Sequence, residues 1–154
     1  MKAYLSGSME YAPDFGAGWR EEIEAFLRGA LRHEVYNPAR DIRKNLSAEE
    51  LANFRRWKTD DPARFRAVIR KIIHYDLDVL EGGVGYVVCH WDRHCRRGGG
   101  THGELTTAFR RGIPVYLMTE EPPHEISGWI LGCCDEVFGS WPELRAFLLA
   151  RYPQ

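Results

Sequence analysis

The sequence has no apolar run approaching the roughly 20 residues that cross a bilayer. It also has no excess of one charge: 21 Lys and Arg stand against 22 Asp and Glu, leaving a formal net charge of −1 and a pI near 6.6. These absences exclude a membrane span and argue against a partner held by bulk electrostatics, such as a nucleic-acid polymer or a membrane surface. Cysteine is scarce, four residues in 154, and no CxxC pair occurs. Cys133 and Cys134 are adjacent and Cys89 and Cys95 flank a loop, which is not a secreted disulfide framework. His90, His94 and His102 lie near Cys89 and Cys95, so a metal site is the competing reading. Reduced cysteines near a strand end are favoured, and no metal or cofactor is expected. The N-terminus reads directly as a strand and lacks the build of a signal peptide, so the expectation is a cytoplasmic protein. There is no repeat and no linker. With 44% hydrophobic and 28% charged residues, the composition is that of one globular domain spanning residues 1–154, large enough for a core without staples.

Periodicity orders the chain. Residues 3–6 form a short strand ended by Gly7. From 15 to 32, Trp19, Ile23, Phe26, Leu27 and Ala30 recur at helical spacing and predict one buried face. Residues 34–36 form a second strand, stopped by Asn37-Pro38. The stretch 39–45 reads as a polar, basic loop. Ser47-x-x-Glu50 is a capping box opening a helix to about Trp57, and Asp61-Pro62 starts another over 63–81. The basic residues of this insertion (Arg40, Arg43, Lys44, Arg55, Arg56, Lys58) read as a solvated face. Residues 84–89 form an uninterrupted apolar strand of the buried kind. A loop over 90–97 and the run Gly98-Gly99-Gly100 lead to a helix over 101–111, capped by Gly112. A strand over 113–118, a helix over 122–131, a short strand over 136–138 and a helix capped by Ser140 complete the chain. The last helix buries Leu144, Phe147, Leu148 and Tyr152.

This alternation demands parallel pairing and right-handed crossovers. The predicted fold is α/β, three-layered and Rossmann- or flavodoxin-like, with a five-stranded parallel sheet in the order 2-1-3-4-5. Its switch point falls between the first and third strands, where ligands bind at the carboxyl ends. Tyr4, Ser6, Gly7, Ser8 and Met9 then face residues 90–104 across one crevice.

Two acids carry the chemistry there. Glu104 follows Gly98, Gly99, Gly100 and Thr101, a segment that brings backbone N–H groups and a helix N-terminus to a ligand. Thr101-x-x-Glu104 is equally a capping box, with Glu104 folded back on the Thr101 N–H. Both readings stay open at this point. On the 63–81 helix, Phe65, Ile69, Ile72, Ile73 and Leu80 share a face, and Asp76 projects into the middle of it. A carboxylate on an apolar face is costly unless paired or functional. One carboxylate as nucleophile and another as proton donor is the economy of glycosidic cleavage.

The ordered motifs resemble the nucleoside 2-deoxyribosyltransferase family, including its relatives that hydrolyse nucleoside 5′-monophosphates. Tyr4-Leu5-Ser6-Gly7-Ser8-Met9 is similar to the family's Tyr-Leu-x-Gly-Pro-Met strand end. Tyr36-Asn37-Pro38, Asp76-Leu77, the apolar strand 84–89 and Gly100-Thr101-His102-Gly103-Glu104-Leu105 follow in family order. Ala108 and Gly112-Ile113-Pro114-Val115 close the likeness, which spans Tyr4 to about Met118. Departures are Gly98-Gly99 where an acid or serine often precedes Gly-Thr, Thr106 after Glu-Leu where glycine is usual, and Ser8 for proline. The resemblance implies an enzyme that cleaves or transfers at the N-glycosidic bond of a (deoxy)nucleoside or its 5′-monophosphate. Glu104 would attack C1′ to give a glycosyl-enzyme, Asp76 would hold and protonate the leaving base, and Tyr4 would orient Glu104. It also implies a homodimer or larger homo-oligomer. Arg96, Arg97, Ser6 and Ser8 are candidates for a 5′-phosphate, because arginine forks and hydroxyls suit its oxygens. The glycine run partly resembles the Gly-Gly-x-Gly-Thr-x-x-Glu motif of cytokinin-activating phosphoribohydrolases, with Arg97 in place of the first glycine. A non-catalytic nucleotide-binding or sensor module with the same pocket is the remaining alternative.

Overall fold

The computed structural model describes residues 1–153. Its strands are β1 (Lys2–Gly7), β2 (Glu34–Tyr36), β3 (Tyr86–Trp91), β4 (Val115–Thr119) and β5 (Glu136–Phe138). All pairs are parallel and the order is β2-β1-β3-β4-β5. The helices are α1 (Ala17–Ala30), α2 (Ala48–Asp60), α3 (Pro62–Glu81), α4 (Gly100–Arg110), α5 (Gly128–Gly132) and α6 (Trp141–Arg151). The predicted three-layer α/β architecture and strand order are both present. Among the described residues no helix is long and apolar enough to cross a membrane.

Alternation along the strands builds two cores. Tyr4, Val87, Cys89, Trp91, Val115 and Leu117 point to the layer holding Leu80, Leu105, Ala108 and Ile130. Ala3, Leu5, Tyr86, Val88, Tyr116 and Met118 point the other way, onto Ile23, Leu27, Leu144 and Leu148. Period-two alternation therefore sends Tyr4 and Ser6 to the α4 side and leaves Leu5 and Gly7 on the α1 side.

Several boundaries move for local reasons. α1 starts at Ala17, because Phe15 and Gly16 both adopt positive φ (55° and 68°) and the Asp14 carboxylate accepts from the Gly16 and Gly18 N–H groups at 2.9 Å. Ala30 is exposed, and Arg20 and Glu24 take its place on the buried face. α2 continues to Asp60, so only Asp61 separates it from α3. On α3 the buried stripe runs through Val68 and Leu80, while Ile73 is 49% exposed. β3 sits two residues later than the apolar run. Gly85 crosses against Met1 and donates to the Lys2 carbonyl at 2.8 Å, and pairing continues through His90 and Trp91 opposite Gly7 and Thr119. The helix expected over 122–131 is a 3₁₀ turn (Pro123–Glu125) followed by the short α5, which Ser127 caps.

The Ser47 capping box forms as expected: the Ser47 hydroxyl accepts from the Glu50 N–H and the Glu50 carboxylate from the Ser47 N–H. Removing it by Ser47→Ala lowers stability by about 1 kcal/mol, measured by urea unfolding. An unchanged midpoint would show that α2 is held by packing on α3 alone.

Candidate active site

Glu104 is not a helix cap. Helix α4 begins at Gly100 with Gly99 as N-cap and no side-chain cap. Thr101 therefore lies inside the first turn, two positions past the place a capping box requires. The half-buried Glu104 carboxylate turns to β1. Tyr4 donates its hydroxyl to Oε1 at 2.7 Å and Ser6 donates to Oε2 at 2.5 Å. Both donors are fully buried, two residues apart on one strand face. Burial raises the Glu104 pKa, while the Ser6 and Tyr4 hydrogen bonds pull it down and the nearby Asp76 charge raises it further. Burial, with the charges of Glu104 and Asp76, pushes the Tyr4 phenol well above its usual range, so it stays a donor.

Asp76 faces the same region from α3. Its Oδ1 accepts from Lys44 Nζ and, at 3.3 Å, from the Tyr36 hydroxyl. The Tyr36 ring lies 5.2 Å from that of Tyr4 and is tilted 33° to it, which links the two carboxylates through adjoining phenols. Burial raises the Asp76 pKa and the Lys44 charge opposes it. Asp41 completes the wall: its carboxylate accepts from Tyr75 at 2.7 Å and from Tyr36 at 3.2 Å. Lys44 thereby departs from the solvated face expected of its basic stretch. Its side chain is 9% exposed, and its backbone has φ 44°, in the left-handed region that non-glycine residues rarely occupy.

The turn after β1 depends on a residue the sequence pattern did not single out. Arg20 is 1% exposed and donates to the carbonyls of Gly7 and Gly16 at 2.8 Å and of Ser8 at 3.4 Å. Its charge also opposes the upward shift of Glu104. Glycine is required at two points of this turn. A β-carbon on Gly7 would lie 2.9 Å from the His90 carbonyl oxygen and from Trp19 Cζ2, and one on Gly16 would lie 2.1 Å from the Arg20 guanidinium. Glu24 braces the next strand end, accepting from Asn37 at 2.8 Å and Arg28 at 2.9 Å. The signal for both braces was available in principle: Arg20, Ile23, Glu24 and Leu27 follow i, i+3, i+4, i+7, so two charges share a buried stripe.

The remaining candidates divide. Ser8 and Thr101 are buried beside the turn, and Met9 is half-buried. Gly98, Gly99 and Gly100 have no positive φ, and nothing in the fold comes closer to their absent side chains than the Tyr11 ring, 3.9 Å from Gly98. The fold itself therefore does not demand glycine there. Arg97 stacks over the Tyr11 ring at 4.5 Å. Arg96 turns away to Glu121 and Glu125, which neutralise it. Ser6 is committed to Glu104. Of the four phosphate candidates, Ser8 and Arg97 keep their polar groups clear of a carboxylate.

The cysteine and histidine cluster is dispersed by the same alternation. Cys89 points into the α4-side core, whereas the His90 ring lies against Trp19 and Trp141 on the other face. His90 is in a strand and His94 in a turn, so their four-residue spacing does not align them as it would on a helix. Cys95 donates to the His90 carbonyl, and among the described residues no group of three or more His, Cys, Asp or Glu is arranged to hold a metal.

The parallel α/β fold recurs in a solved structure. Among solved structures, the 2-deoxyribosyltransferase of Bacillus psychrosaccharolyticus shares it with a TM-score of 0.60 and 20% identity, over 99% of this chain and 96% of that one. No family profile and no curated protein sequence matches the chain.

The raised Glu104 pKa has a stability consequence. Between the ordinary glutamate value of 4.5 and the higher folded value, the folded state binds more protons than the unfolded one. Stability from this site is therefore full below that range and is lost as pH rises through it. Glu104→Gln keeps an acceptor for Tyr4 and removes the charge. It raises the melting temperature at pH 7 to 8, and the gain shrinks toward pH 4. A variant less stable than wild type at pH 7 would contradict the burial cost assigned to this carboxylate.

Proposed function

We propose that this protein cleaves or transfers at the N-glycosidic bond of a (deoxy)nucleoside or its 5′-monophosphate, with Glu104 as the nucleophile. The observation that carries the proposal is the orientation of Glu104. Its carboxylate is lifted off its own helix and fixed by two buried hydroxyls of β1, at the carboxyl end of the sheet beside the switch point. A structural cap needs no such cradle. The shared fold with a 2-deoxyribosyltransferase and the order of the motifs support the same reading.

In this mechanism the substrate's C1′ is placed against a Glu104 oxygen and the base extends toward Asp76, Tyr36 and Lys44. Tyr4 and Ser6 favour the ionised carboxylate against burial and fix its aim; a raised Tyr4 pKa keeps that hydrogen bond in place through the cycle. Attack by Glu104 forms a glycosyl-enzyme as the bond to the base breaks, and water or a second base then takes the glycosyl group. Asp76 holds the base. Gly98, Gly99, Gly100 and Thr101 leave room for the sugar, and Ser8 and Arg97 are the groups offered to a 5′-phosphate.

The test is base release from a panel of nucleosides and their monophosphates, with intact-mass detection of a pentosyl adduct. Glu104→Ala loses at least about 10³-fold in turnover and forms no adduct. Tyr4→Phe loses about 10²-fold, chiefly in kcat. Turnover by Glu104→Ala equal to wild type would sink the proposal. Tight binding of nucleotide by wild type, without base release over hours, would instead favour a sensor module. Equal binding of nucleosides and monophosphates would remove Ser8 and Arg97 from a phosphate role.

A further inference from the structure

We propose that Lys44, rather than Asp76, is the proton donor to the departing base, with Asp76 as the carboxylate that positions it. The inference rests on the glycosidic reading above and deepens it.

The argument begins with hydrogen-bond direction. Asp76 Oδ1 accepts from both the Lys44 ammonium and the Tyr36 hydroxyl. An ammonium and a hydroxyl donating to the same oxygen favour the ionised carboxylate against the burial that raises its pKa, which casts Asp76 as an acceptor and not as the donor. Around this carboxylate, the proton-bearing cation is Lys44. The other ionisable groups facing Asp76 are accounted for. Tyr36 is shared between Asp76 and Asp41, Tyr75 donates to Asp41, and Tyr4 donates to Glu104. Asp41 and Glu104 are acceptors in those same bonds.

Placement points the same way. Lys44 and Asp76 have 9% and 14% of their side-chain surface exposed, an unusually enclosed setting for a lysine. The chain adopts a left-handed conformation at Lys44 to set the ammonium there. No described residue donates to Asp76 Oδ2, which leaves that oxygen to accept an N–H from a base while the ammonium addresses an adjacent ring atom. The pair thus presents one acceptor and one cationic donor side by side, facing the region of Tyr4 and Glu104 through the Tyr36 ring.

The step balances. A Glu104 oxygen lone pair forms the bond to C1′, and the electron pair of the breaking C1′–N bond passes into the base. The base takes one proton from Lys44 Nζ, leaving a neutral amine beside Asp76. In the second half, the attacking water or base loses a proton as its bond to C1′ forms and Glu104 departs. That proton returns to Lys44.

The experiment compares two leaving groups. A neutral purine nucleoside needs a proton on its base to leave well, whereas the N7-methylated counterpart already carries a positive charge and does not. Initial rates of base release would be measured for wild type, Lys44→Met and Lys44→Arg on both. Lys44→Met should lose about 10²-fold in kcat on the neutral substrate and much less on the methylated one, whose turnover also shows that the variant is folded. Lys44→Arg keeps the ion pair but holds its protons too tightly to give one up. It should keep a near-normal KM and remain slow on the neutral substrate alone. Equal loss on both substrates, full recovery by Lys44→Arg, or faster turnover by Lys44→Met would each overturn the assignment. The last result would make Lys44 a lock on the empty site. Base release from neither substrate by wild type would defeat the glycosidic reading itself, a result distinct from any of these.

Discussion

The site depends on one interaction: two hydroxyls of β1 gripping a carboxylate of α4. Tyr4 and Ser6 are alternate residues on a fully buried strand, so neither can leave the sheet without breaking its pairing with β3. Glu104 comes from the first turns of the helix that follows β3, and it reaches both hydroxyls because β1 and β3 are neighbours. That adjacency is the switch point of the 2-1-3-4-5 order, where strands wound in opposite directions leave a crevice at their carboxyl ends. The parallel sheet thus brings together residues 98 and 100 positions apart in sequence.

Around this grip the protein accepts unfavourable local states. It buries carboxylates at Glu104, Asp76 and Glu24 and a guanidinium at Arg20. It also places Lys44 and Phe15 at positive φ, which costs on the order of 1 kcal/mol or more per non-glycine residue. Each buried charge meets a specific partner. Arg20 satisfies three carbonyls around the β1 turn, Glu24 ties α1 to the end of β2, and Lys44 ties the following loop to α3. These charges fasten the irregular segments at the carboxyl edge of the sheet, where apolar packing has little to offer. Arg32 is also at positive φ, in the turn that leads into the amino end of β2; the buried charges of Arg20, Glu24, Lys44, Asp76 and Glu104 gather at the carboxyl edge and mark it as the working one.

The aromatic residues show the same division of labour. Tyr86, Tyr116, Tyr152 and His33 pack together, with their hydroxyls paired to one another or to the imidazole, and they take no part in the carboxylate network. Tyr4 and Tyr36 instead use their hydroxyls on acids. Composition alone does not separate these two groups of tyrosines, because both bury a ring and satisfy a polar tip. Their partners do.

Much of the architecture follows from local patterns. Apolar runs, helical stripes, the Ser47 box and the alternation of elements suffice for five parallel strands in this order, because parallel strands need crossovers and crossovers have one hand. Tyr4 and Ser6 on one face follow from the period of a strand, and Asp76 is visible as an acid interrupting an apolar stripe. The role of Glu104 was undecided at that level. Thr101-x-x-Glu104 fits a capping box, and only the start of α4 at Gly100 removes Thr101 from the cap position. Lys44 and Arg20 were hidden for a related reason. A lysine in a basic loop and an arginine within a helix look solvated until long-range folding brings an acid or a ring of carbonyls to them. Periodicity records which face a residue takes within its own element. The partner that gives a buried charge its meaning lies in another element, and only the tertiary structure decides which one.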